Sequence, residues 1–138
     1  MNRDRDFRSV GSKGMNQGVT SRFTIASMRL DAAYLATKFP WHVVDTVVPH
    51  GELGYHITTF DLGIGEHDRV DPHLMAAKAA LLSQESTLDS LHRDCGYTLW
   101  IRCRFAAEDG DLSISSSLSA AFGLLRVDLM FQLCGGEG

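Results

Sequence analysis

The chain has 138 residues, 44% of them apolar, and a formal net charge of −4. That is enough for one ordinary domain with its own core and too apolar for disorder throughout. The negative balance disfavours non-specific nucleic-acid binding. No run approaches the ~20 apolar residues of a membrane span. Three cysteines, Cys95, Cys103 and Cys134, without CxxC spacing argue against a disulfide framework and for reduced thiols in a cytoplasm.

Charge is unevenly spread. Residues 1–29 hold six basic and two acidic groups, the remainder seven basic and fifteen acidic, so a basic start precedes an acidic body. Residues 1–19 read as a flexible polar tail, because Phe7, Val10 and Met15 share no period among glycine, serine, asparagine and charge. Met15, after Gly-Ser-Lys-Gly, reads as an alternative start. The domain is expected over 20–134, with 135–138 as a frayed end.

In 20–28, Phe23 and Ile25 alternate with Arg22, Thr24 and Ala26, the pattern of a strand. Asp31 caps a short helix that Pro40 stops. Residues 41–53 resist assignment: Val43, Val44, Val47 and Val48 favour extended backbone, and Pro49 and Gly51 break it. Residues 55–62 read as the next strand. Asp71 as cap and Pro72 at the first position open a helix, which Leu74, Ala77, Leu81, Leu88 and Leu91 carry for about 20 residues, or about 30 Å.

The strand 97–105 follows, with Leu99, Ile101, Cys103 and Phe105 on one face and Trp100, Arg102 and Arg104 on the other. After an acidic-glycine turn comes a helix capped by Ser115 and ended with the help of Gly123. The last strand, 125–133, sets Leu125, Val127, Leu129, Phe131 and Leu133 against Arg126, Asp128, Met130 and Gln132. Helices interleaved with one-sided strands predict an α+β fold: a single two-layer domain, its mixed or largely antiparallel sheet of four to five strands carrying helices on one face.

Over 73–133, three pieces follow in order. They are the Leu-rich helix, the strand with Leu99-Trp100-Ile101 before its acidic-glycine turn, and the helix entered at Ile114-Ser115-Ser116 ahead of Leu125-Arg126-Val127-Asp128-Leu129. This succession resembles the bacterial domain-of-unknown-function family 4279. The match thins toward the N-terminus, where Leu30-Asp31 and Phe39-Pro40 are partial echoes. The resemblance implies an α/β sandwich, brings no catalytic residues, and associates the chain with immunity or regulatory binding partners.

No catalytic signature and no cofactor motif stands out. Asp61-Leu62-Gly63-Ile64-Gly65 lacks the third glycine of a dinucleotide loop, and Ser115-Ser116-Ser117 lacks a GxSxG context. Strand alternation puts Cys103 in the core, away from both arginines. One metal set can be drawn from His56, His67, Asp68 and His73, whose imidazoles and carboxylate suit zinc or iron, and with Glu66 it frames an alternative reading as a small metal-dependent hydrolase. The leading expectation is a non-enzymatic interaction domain, an immunity or regulatory protein. Its face of Trp100, Arg102, Arg104, Arg126 and Asp128 would bind a protein partner or mediate self-association, with nucleic acid disfavoured.

Overall fold

The computed structural model describes residues 18–49, 54–104 and 113–134. The expected tail up to residue 17, the end at 135–138, the acidic-glycine turn, Phe105 and His50 lie outside the described residues. The elements are β1 (Gly18–Ser27), α1 (Ala32–Lys38), β2 (His42–Val47), β3 (His56–Asp61), α2 (Val70–Leu82), α3 (Glu85–Leu91), β4 (Gly96–Arg104), α4 (Ser116–Leu124) and β5 (Val127–Cys134). They form an α+β domain with one five-stranded mixed sheet in the order β2-β3-β1-β4-β5. Among the described strands only the β4–β5 pairing is parallel; β1–β3, β1–β4 and β2–β3 are antiparallel. No helix among the described residues is long and apolar enough to cross a membrane.

Residue alternation sorts the sheet into two faces. Val19, Phe23 and Ile25 of β1, Thr58 and Phe60 of β3, and Tyr97, Leu99, Ile101 and Cys103 of β4 are buried under the helices. The helices supply Leu35, Leu74, Ala77, Leu81, Leu88, Leu118 and Phe122 to the same core. α1 lies against β2 and β3, α2 against β1 and α4, and α4 against β5. An aromatic cluster closes the β2 side: Phe39 stacks on Trp41 at 5.0 Å, and Trp41 meets the edges of Phe23 and Phe60 at 5.5 and 5.9 Å. Trp41 is thus the inward anchor of the segment that leads into β2. The Tyr97 hydroxyl donates to the Leu88 carbonyl at 2.7 Å, tying β4 to α3, and burial pushes its pKa up so that it stays a donor.

Several boundaries differ from expectation, each for a physical reason. β1 starts at Gly18, inside the expected tail, because Gly18 and Val19 pair with Arg104 and Cys103. The unassigned segment forms β2, an edge strand with a register shift between Val43 and Asp45; this irregularity scrambles its alternation. The long helix is two helices parted at Ser83 and Gln84, where Gln84 leaves helical geometry and the Ser83 hydroxyl donates to the Ala80 carbonyl. Arg69, not Asp71, is the first cap, so Asp71 and Pro72 sit within the first turn; proline is tolerated there because that turn needs no amide donor. Gly123 lies inside α4, and the left-handed residue after the helix is Arg126 (φ 61°). The caps Asp31 and Ser115 stand as expected, accepting from the amides of Tyr34 and Leu118 at 2.9 and 3.3 Å.

Thr58 is fully buried on the helix side of β3, and its Oγ1 has no hydrogen-bond partner among the described residues. Thr58→Val removes that hydroxyl while keeping the branched shape. It is expected to stabilise the fold by about 1 kcal/mol, read as an upward shift of the urea midpoint.

Candidate functional site

The face of the sheet away from the helices is the first candidate. Cross-strand register sets Trp100 opposite Arg22 on one side and Met130 on the other, and sets Arg102 between Thr20 and Gln132. Arg104 lies opposite Gly18, and Asp128 lies beside Thr98. Trp100 is 47% exposed and Met130 45%, so neither ring nor thioether is roofed by the described residues. A hollow of ≈ 340 Å³ is bordered by Thr20, Arg22, Trp100, Arg102 and Gln132, with Ser21 and Ile101 at its floor. Strand alternation directs the side chains of Ser21 and Ile101 to the other face, so they meet the hollow through their backbone.

Four of the five residues expected on this face are there: Trp100, Arg102, Arg104 and Asp128. Arg126 is not. It precedes β5, its left-handed backbone turns the chain, and its guanidinium donates to Asp89 of α3 at 2.9 Å. Arg22 takes its place beside Trp100, contributed by a strand 78 positions earlier. That residue escapes a reading of 97–133 alone, because only the pairing of β1 with β4 reveals it.

The histidine set drawn from sequence splits apart. His56 sits opposite Ser27 at one end of β1, whereas His67 bridges to Val19 at the other. Eight residues of strand separate those positions, about 26 Å. Asp68 is exposed beside His67. No three His, Cys, Asp or Glu side chains among the described residues stand close enough to share an ion.

His67 and His73 do converge, and they bring a residue that the sequence did not flag. His73, on α2, is fully buried. Its Nε2 lies 2.7 Å from Ser21 Oγ, and its Nδ1 lies 3.0 Å from Nδ1 of His67. Two backbone hydrogen bonds hold His67 in place, its amide to the Val19 carbonyl at 3.1 Å and the Val19 amide to its carbonyl at 2.7 Å. Burial is the main force holding the His73 imidazole below the usual histidine range. The neighbouring His67 adds to it, and a backbone hydrogen bond at Gly65 opposes it. His73 is therefore a neutral base at neutral pH, with one ring nitrogen a donor and the other an acceptor. A sequence clue to this cluster does exist: Ser21 interrupts the apolar stripe Val19, Phe23, Ile25, and His73 interrupts Val70, Leu74, Ala77.

Cys95 and Cys103 show no activation. Burial raises the thiol pKa of both Cys95 and Cys103, and Cys103 is fully buried in the core. Comparison of the chain with protein-family models, with curated proteins and with solved structures found no match.

Proposed function

We propose that the protein is a protein-interaction domain, acting as an immunity or regulatory partner in the cytoplasm, and that it docks its target on the open face of the sheet. One observation carries this reading: Trp100 stands half-exposed midway along β4, between Arg22 and Met130 and on the same strand face as Arg102. Tryptophan, methionine and arginine are the side chains most enriched at interface cores, and Trp and Arg most often dominate their binding energy. The occupant is a protein surface that seats an apolar side chain against Trp100 and turns carboxylates toward Arg22, Arg102 and Arg104. Charge complementarity of this kind steers association and fixes the register of the partners.

The test compares the wild-type chain with Trp100→Ala, Arg102→Glu and a helix-side control, Lys78→Ala, as baits on native extract. Affinity for the captured partner is then measured. Trp100→Ala is expected to weaken that affinity by about 30-fold or more, equivalent to about 2 kcal/mol. Arg102→Glu should slow association in low salt, and Lys78→Ala should change neither. A partner retained equally by Trp100→Ala would overturn the reading. So would nucleic acid as the bound species, or a dimer of the chain itself that Trp100→Ala dissolves.

A further inference from the structure

On the opposite side of β1, we propose that Ser21 is the nucleophile of a Ser21–His73–His67 triad, with short-chain activated esters as the class of substrate that it attacks. Three separate elements converge to build it: β1 supplies Ser21, α2 supplies His73, and the loop leading into α2 supplies His67. The defining geometry of an activated hydroxyl is a base within hydrogen-bond reach whose far side is held by a third group. Here those spacings are 2.7 Å from Oγ to Nε2 and 3.0 Å from Nδ1 to Nδ1.

The strand pairing is interrupted beside Ser21. The ladder between β1 and β3 stops at Phe23–Phe60 and resumes only at the Val19–His67 bridge. Ser21 and Arg22 thus have no strand partner on that side, where Leu62 and Ile64 turn back onto the core. Ser21 and His67 are each partly exposed, whereas His73 between them is sealed. The base is shielded from water, and the residue at one end of the relay is only partly buried. Burial also keeps the His73 ring unprotonated near neutrality, as a general base requires.

In the reaction, His73 Nδ1–H donates to His67 and Nε2 accepts from the Ser21 hydroxyl. Oγ attacks the ester carbonyl carbon while its proton passes to Nε2. The carbon–oxygen bond to the alcohol then breaks, and the departing alkoxide takes the proton from Nε2, leaving an acyl-serine. Water repeats the sequence: it gives a proton to Nε2, its oxygen joins the acyl carbon, and Ser21 leaves with that proton. Ester and water become acid and alcohol. His67 is a positioning residue, since it touches the base and not the ester.

The test is covalent trapping on the full chain with a fluorophosphonate probe, followed by peptide mapping, alongside hydrolysis of p-nitrophenyl acetate. One adduct on Ser21 is expected, absent in Ser21→Ala, with acetate release falling in parallel. His73→Leu should slow labelling by about 10²-fold or more. Because that variant could lose its fold, the wild-type chain supplies an independent readout: its labelling rate should fall in acid with a midpoint below the ordinary histidine value. His67→Ala should move that midpoint, and His67→Asn should restore part of the rate. No adduct on the folded wild-type chain, an adduct elsewhere, or a rate without that acid limb would overturn the proposal. Trp100→Ala should label like the wild type, so the fate of this site and that of the open face are read separately.

Discussion

Replacing Phe23 with alanine is expected to cost about 3–5 kcal/mol and, in a domain of ordinary stability, to leave much of the chain unfolded at 37 °C. Phe23 is fully buried at the middle of the central strand. It pairs with Phe60 on one side and Leu99 on the other, stacks on Tyr97 at 5.8 Å and meets Trp41 in a T-shaped contact at 5.5 Å. Truncation removes contacts with two strands and with the connection from α1 to β2 at once. The ring is hemmed in by two sheet neighbours that hydrogen bonds hold at fixed spacing, so the void cannot collapse, and cavity cost adds to lost transfer energy. Phe23→Leu keeps most of the volume and should cost well under half as much. Urea melts of the two variants check this; equal losses would mean that the aromatic packing, not the volume, sets the cost.

The second large effect is a dependence of stability on acid that a single histidine creates. The unfolded chain binds a proton at His73 near the ordinary histidine value of about 6.5. The folded chain resists it, because burial and His67 hold the folded value lower. Below about pH 6.5 the unfolded state therefore carries more protons, and stability falls as pH drops toward the folded value, while above it this contribution is flat. His73→Leu should lower stability near pH 7.5 by about 1–3 kcal/mol, because Ser21 Oγ and His67 Nδ1 lose their partner. It should also remove this component of the acid slope, so that the two curves converge as pH falls below about 6.5. An unchanged slope in the variant would show that other groups carry the acid response.

The parts of the fold written in local chemistry were legible in the sequence. Asp31 and Ser115 announce helices because a cap is a contact between neighbours, and Trp100, Arg102 and Arg104 share a face because strand period is two. The parts set by distant pairing were not. β2 stayed hidden because an irregular edge strand exposes both of its sides, Val44 and Val47 included, so no apolar stripe marks it. The break at Ser83 was masked because Leu81 and Leu88 reach the same core from two helices. Arg126 misled because glycine, not arginine, usually takes a left-handed backbone, and Gly123 nearby looked the better stop. The Ser21–His73–His67 cluster joins positions up to 52 residues apart, and only two polar residues in apolar stripes hint at it.

The strand order also decides when the protein can first take shape during synthesis. β1 emerges before every other described strand, yet it belongs at the centre, and both of its neighbours come much later in the chain. Phe23 waits for Phe60, and then for Leu99, before its strand is flanked on each side. Closing such wide loops slows formation of the sheet relative to folds built from adjacent hairpins. A nascent chain that has not yet released β4 presents the edge of β1 unpaired, with the apolar ridge of Val19, Phe23 and Ile25 beside it. A ribosome stalled before residue 96 would hold a fragment open to chaperones and to wrong strand partners.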